Sequence, residues 1–201
     1  LFDECSSGFR ETFGGIYQKF NVDPDMIMMG KTIGNGYALT AVIGSKSVME
    51  AAQNTFISST FWTERIGPTA GLATLKVMER IESWNIITKT GKKIQEGWKK
   101  LAKSYNLDIT VSGIPAMTTY AFNSKNAVAY KTFITQEMLK KDFLASTHFY
   151  ACIAHTDEHI NSYFNALDDV YKQIAKCEAE ILNINDLLDG PVCHSGFKRL
   201  N

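Results

Sequence analysis

The stretch "MIMMGKTIGNGYALTAVIG", residues 26 to 44, sets a single lysine, Lys31, between two apolar runs. Residues 26–29 are apolar, as in a buried strand, and the run after Tyr37 is apolar again. Between them lie Gly30, Lys31 and the Gly-Asn-Gly turn at 34–36. A lysine pinned between buried segments either snorkels to solvent or is held where its amine can be neutral or covalently occupied. Similar short runs punctuated by glycine fill the first third, beginning with "LFDE" at 1–4. They read as strands of a mostly buried sheet joined by turn-rich loops.

From Gly67 the pattern becomes helical. "GPTAGLATLKVMERIESW" (67–84) carries Pro68 in its first turn, where a missing N–H costs nothing. "TGKKIQEGWKKLAKSY" (90–105) is a second helix, its lysines on a solvated face. "LDITVSG" (107–113) and "AMTTYAF" (116–122) read as strands from their Thr, Val and aromatic content. "VAYKTFITQEMLKKDF" (128–143) is a helix and "HFYACIA" (148–154) a short strand. From Asp157, Ile160, Phe164, Leu167, Val170, Ile174 and Ile181 form a core-facing helical stripe, with Thr156 or Asp157 as N-cap. Strands, then a long helix, then mixed elements point to the tail of a large α/β domain followed by a smaller α+β domain. The boundary falls near residues 86 to 90, giving domains 1–88 and 89–201. Because "LFDE" opens directly as a buried strand, the chain reads as a fragment of a longer protein.

Composition narrows the function classes. Twenty-one basic residues balance 21 acidic ones, so nothing draws nucleic acid or an anionic membrane surface. Cys5, Cys152, Cys177 and Cys193 are scattered without a CxxC pair, which disfavours a zinc site or disulfide framework and fits a reducing, cytoplasmic setting. No apolar run reaches the ~20 residues that span a bilayer.

The polar residues of the first third can be taken together. Asp3 follows two apolar residues at a strand end, where α/β proteins place ligand-contacting groups, and Lys31 follows another such strand. "SSTFWTERIGP" (58–68) supplies Ser58, Ser59, Thr60 and Thr63 just before a helix, where hydroxyls and free N–H groups suit an anion such as phosphate. A carboxylate, an amine and an anion cradle are the parts that pyridoxal 5′-phosphate needs. Each alone has a plainer reading: Lys31 as a surface lysine, Asp3 as a turn or capping residue.

Three segments together, "FDECSSGFR" (2–10), "PDMIMMGKTIGNGYALTAVIG" (24–44) and "SSTFWTERIGPTAGLATL" (58–75), resemble the class III, fold type I, pyridoxal-phosphate aminotransferases. The branch they resemble is that of glutamate-1-semialdehyde 2,1-aminomutase. The likeness runs over most of residues 1 to 85 and resumes at "FYACIAHTDEHINSYFNAL" (149–167). It implies that Lys31 forms the Schiff base and that Asp3 pairs with the pyridinium nitrogen. It places Cys5 against the ring face, where the family usually has valine. Thr63, five residues before Pro68, matches the phosphate-binding threonine, with Thr60 as runner-up. In relatives that threonine serves the other subunit's cofactor, so the resemblance implies a homodimer. The expected partners are a small amino donor and a carbonyl acceptor, with neither nucleic acid nor membrane.

Departures bear on substrate. Tyr150 stands where the aminomutase branch has a glutamate, which favours an ordinary transaminase over the aminomutase. The part of the family that carries a Gly-Ser/Thr phosphate loop and a ring-stacking aromatic has no counterpart in these residues, so a non-catalytic C-terminal piece is the reading from another class. His155 reads as a satisfied structural histidine rather than a base, and His148, His159 and His194 as surface. Arg10 either braces its loop or serves the site. Glu64 and Arg65 bind substrate or each other, Trp62 is core or substrate wall, and Met26, Met28 and Met29 are core.

Overall fold

The structure, a computed structural model, describes residues 1–194 and Gly196. Ser195 and residues 197–201, the end of the second expected domain, lie outside the described residues. The chain divides into two compact units, Leu1–Thr88 and Lys89–Asn201.

The first unit carries a three-stranded sheet, β1 (Phe2–Glu4), β2 (Met26–Met29) and β3 (Ala41–Gly44), in that order. β1 and β2 run parallel, with Asp3 opposite Met28 and Glu4 opposite Met29. Parallel neighbours need a crossover of a dozen or more residues, and residues 5–25, including a 3-10 turn at Ile16–Phe20, supply it. β2 and β3 run antiparallel, joined through the 3-10 turn Lys31–Ile33 and the glycine-rich loop behind it. Gly36, at φ 101°, turns that loop through a conformation glycine adopts freely. After the short α1 (Lys46–Met49) the loop of residues 55–65 leads to α2 (Ile66–Ile81).

Strand alternation puts Ile27 and Met29 on one face, where they are buried with Ile33 against Phe9, Tyr17, Leu39 and Ala41. The other expectations for this sheet fail. Met26 and Met28 are only half-buried, and Val42 and Ile43 on β3 are 51% and 54% exposed. Within this unit one face of the sheet is covered at β2, where Ile27 and Met29 are buried, but the cover stops short of β3: Val42 and Ile43 point to opposite faces and are both open, Ile43 although it pairs with buried Ile27.

α3 (Ser83–Ser104) follows α2 after a break at Glu82, which turns through φ 48°. The helix is therefore longer than its lysine-rich half suggests. The second unit adds β4 (Ile109–Ile114), β5 (Met117–Phe122), α4 (Ala127–Leu139), β6 (His148–Tyr150), α5 (Asp157–Glu178) and α6 (Ile184–Leu187). Its strands pair antiparallel in the order β4-β5-β6. Trp98, Tyr120, Tyr130, Phe133, Leu167 and Tyr171 fill the core, and the indole N–H of Trp98 donates to the Tyr163 hydroxyl at 2.8 Å.

α5 starts at the expected cap. Thr156 Oγ1 accepts the His159 N–H at 3.3 Å, while the Thr156 N–H donates to His159 Nδ1 at 3.3 Å. Histidine thus takes the place that glutamate or glutamine usually fills in a capping box. The stripe holds at Ile160, Leu167, Val170 and Ile174, with Phe164 half-buried. It fails at Ile181, 71% exposed, because the helix ends at Glu178 and Glu180 turns the chain at φ 58°.

Candidate active site

The parallel pairing of β1 and β2 decides what meets at this edge of the sheet. Both strands end on the same side, so the residues leaving them are neighbours although they are far apart in sequence. β1 delivers Asp3, Cys5 and Ser6, and β2 delivers Gly30 and Lys31. Lys31 Nζ donates a hydrogen bond to Ser6 Oγ. Lys31 sits at φ 43°, the left-handed region that side chains other than glycine seldom occupy. Gly30 before it is extended, and a Cβ there would lie 3.3 Å from Cys5 Sγ and 3.6 Å from Thr40 Cγ2.

Asp3 is exposed, and its Oδ1 accepts the Cys5 N–H at 3.0 Å. That backbone hydrogen bond, the Cys5 thiol and the nearby Lys31 charge hold the carboxyl below its ordinary range. It therefore stays ionised. Cys5 moves the other way: burial first, then Asp3, pushes its thiol up, so it remains protonated and packs as a small apolar group.

Glu4, one residue on and on the opposite face of β1, is 2% exposed. Its Oε1 accepts the Tyr17 N–H at 3.1 Å, and Ser7 Oγ donates to Oε2. The buried carboxylate thereby ties down the loop that leaves β1. The sequence reading passed over both Glu4 and Ser6; alternation along "FDE", which turns Glu4 inward, was the available signal for the first. Arg10 Nε donates to the Ser6 carbonyl at 3.3 Å, a brace within the same loop.

The expected anion cradle is not assembled in the same way. Thr60 and Thr63 are exposed on the loop before α2. Among the described residues, neither hydroxyl makes a hydrogen bond or joins Lys31, Asp3 or Cys5. The start of α2 is closed to an anion as well: Glu64 accepts from the Ile66 N–H and, at 3.0 Å, from the Gly67 N–H. A carboxylate already holds the positive end of that helix, so Glu64 caps rather than pairing with Arg65. Trp62, at 70% exposure, is not core.

In the second unit, Tyr150 is 61% exposed on β6. It lines a cavity of about 330 Å³ with Phe143, His148, His155, His159 and Tyr163. His155 Nδ1 accepts the Cys152 N–H at 3.1 Å, and its ring lies 4.9 Å from that of Phe149. Burial, then the charge of His159, holds its imidazole below the ordinary value. These are the contacts of a structural histidine. Among the described residues no cluster of His, Cys, Asp and Glu could hold a metal ion. No helix among them is long and apolar enough to cross a membrane.

The family model for aminotransferase class III matches residues 1–170. A 3-aminobutyryl-CoA aminotransferase from Cloacimonas acidaminovorans is 30% identical over 182 residues, 88% of this chain and 44% of that protein. A glutamate-1-semialdehyde 2,1-aminomutase from Persephonella marina is 28% identical over 191 residues, 87% of this chain and 45% of that one. In fold, the chain is similar to the FumI protein of Sphingopyxis sp. MTA144, solved in its PLP internal aldimine form. The TM-score is 0.81 at 20% identity, over 94% of this chain and 46% of that one. An omega-transaminase from Sphaerobacter thermophilus gives 0.75 at 19% identity, over 88% and 44%. The chain spans a little under half the length of each of these relatives.

Proposed function

Because this chain belongs to the class III aminotransferase family, we propose that it carries the lysine and the ring-binding acid of a pyridoxal-phosphate-dependent aminotransferase. Such an enzyme moves an amino group between a small amino donor and a carbonyl acceptor. The observation that carries this reading is the parallel β1–β2 pair, which brings an ionised carboxylate and a primary amine to one edge.

The donor set fits pyridoxal 5′-phosphate at its ring and aldehyde ends. Lys31 Nζ is the amine to which the aldehyde carbon would attach. Asp3, an ionised carboxylate held below its ordinary range by the Cys5 N–H, would hold a protonated ring nitrogen. The Cys5 thiol offers a small apolar surface, and the absence of a side chain at Gly30 leaves room beside it. The bound cofactor supplies an electron sink for the negative charge that forms at the substrate's amino carbon. Lys31 Nζ, once free and neutral, would take the proton from that carbon and deliver it to the former aldehyde carbon, so that the amino carbon can leave as a carbonyl. For the phosphate, Thr63 remains the proposed ligand and Thr60 the alternative. Both hydroxyls are exposed and uncommitted among the described residues, which supports either.

Further parts of the reading follow from the family. Leu1–Thr88 would be the C-terminal part of the cofactor-binding domain and Lys89–Asn201 the small α+β domain. A homodimer is supported by the exposed apolar side chains around the threonine loop, with Phe56 95%, Ile57 58%, Phe61 58% and Trp62 70% accessible. Four free cysteines support a reducing, cytoplasmic setting. Tyr150 in place of an acid supports a transaminase over the aminomutase.

Borohydride reduction of the full-length enzyme with pyridoxal phosphate, followed by peptide mapping, tests the reading. Pyridoxyl label is expected on Lys31. Label confined to another lysine overturns the assignment.

A further inference from the structure

We infer that Ser6 is a positioning residue for the Lys31 amine, an inference that rests on the proposed role of Lys31. Ser6 Oγ accepts the hydrogen bond of Nζ, and this is the amine's hydrogen bond among the described residues. A hydroxyl suits the task in both charge states. It accepts from an ammonium, and it can donate to the lone pair of a neutral amine.

Ser6 is itself well placed. Its carbonyl accepts Arg10 Nε at 3.3 Å, and the Arg10 N–H donates to the Ser7 carbonyl at 3.1 Å. The Gly8 N–H donates to the Glu4 carbonyl at 2.8 Å, and the buried Glu4 carboxylate ties Ser7 and Tyr17. These bonds surround Ser6 without using its hydroxyl, whose hydrogen bond among the described residues is the one to Lys31. The loop is thus a frame, and the hydroxyl is what it presents.

The lysine is held at its root as well. Its φ of 43° fixes the direction in which the side chain leaves the backbone. A lysine otherwise loses much rotamer freedom when its amine must meet a reacting carbon. With the tip held by Ser6, part of that entropy is spent in the resting protein and not at the reaction. Because the frame bonds use the Ser6 carbonyl and neighbouring residues, and none uses its side chain, replacing that side chain with a methyl removes the tether and leaves the loop.

The test measures how fast apo full-length enzyme and pyridoxal phosphate develop the absorbance of the lysine-linked cofactor. In that condensation Nζ bonds to the aldehyde carbon, the aldehyde oxygen leaves as water, and the nitrogen loses its protons to water and solvent. Ser6→Ala is expected to slow linkage about tenfold or more, tenfold being near the low end of the scale for one hydrogen bond to a charged group. Ser6→Thr, which keeps the hydroxyl, should restore it. Affinity for pyridoxamine phosphate, which has no aldehyde to link, should not change in Ser6→Ala. Linkage at the unaltered rate in Ser6→Ala overturns the inference. So does a parallel loss of pyridoxamine phosphate affinity, which would make Ser6 a part of the pocket wall, or failure of Ser6→Thr to rescue. If unsubstituted enzyme is not labelled at Lys31, the reading of Lys31 fails, and that result is independent of every Ser6 variant.

Discussion

At Lys31 the left-handed backbone, φ 43°, costs an L-residue about 1–2 kcal/mol, and such strain persists where the surroundings fix it and function uses it. Nothing in "GKTIG" announces this conformation, because glycine or asparagine is the usual sign of a left-handed residue and lysine is not. Asp3 is the opposite case: its place at a strand end is readable, but the hydrogen bond that holds its carboxyl below the ordinary range comes from the Cys5 N–H, which only the fold supplies. Asp3→Asn leaves that N–H an acceptor, since the amide oxygen can take the place of Oδ1, and removes the negative charge. The fold should therefore survive, with an unchanged melting temperature. Turnover in the full-length enzyme is expected to fall about a hundredfold or more, equivalent to ~2.7 kcal/mol of transition-state stabilisation. Turnover equal to that of the unsubstituted enzyme would show that Asp3 does not hold the ring nitrogen.

At the scale of elements, periodicity found most strands and helices because alternation and the helical stripe survive in the residues that face a core. It misplaced what depends on neighbours. The first unit's sheet looked mostly buried from its apolar runs, yet Val42 and Ile43 are exposed. The start of α2 looked open to an anion, yet Glu64 closes it. The phosphate assignment therefore falls to the loop alone. Cofactor affinity is expected to drop more in Thr63→Ala than in Thr60→Ala; the reverse order selects Thr60, and equal small losses discard both. The strand-to-helix joint before α5 gives a pH prediction. Burial, then His159, holds His155 below its ordinary value, so the unfolded chain takes up this proton first as the pH falls. The stability it contributes is complete above about pH 6.5 and is lost as the pH falls through the lowered folded value. His155→Asn, whose amide oxygen can still accept the Cys152 N–H, should lose less melting temperature between about pH 7.5 and 5.5 than the unsubstituted protein. Equal losses would remove His155 from the acid response.

For the whole molecule, the family was legible because three motifs keep their order across residues 2–75, while the substrate was not, because few of the chain's polar groups point to one. Both aminotransferases and aminomutases occur among relatives of comparable identity, so overall similarity does not separate the two reactions. Tyr150 is the residue that bears on the choice. An aminomutase must retain its intermediate and return the amino group to the same molecule, whereas a transaminase releases an oxo product and takes a second substrate. An acid at this position could hold a substrate ammonium by charge. The Tyr150 hydroxyl, 61% exposed on β6, offers a hydrogen bond and apolar surface but no such charge. Glutamate 1-semialdehyde should accordingly give little 5-aminolevulinate, and an amino donor such as glutamate should give one equivalent of its oxo acid in the first half-reaction. Half-reaction spectroscopy across a panel of amines and oxo compounds, with product analysis, reads both outcomes together. Restoring the acid in Tyr150→Glu should raise 5-aminolevulinate formation relative to oxo-acid release. Efficient 5-aminolevulinate formation by the unsubstituted enzyme, with no oxo acid released, would assign it to the aminomutases and leave Tyr150 without a role in the choice.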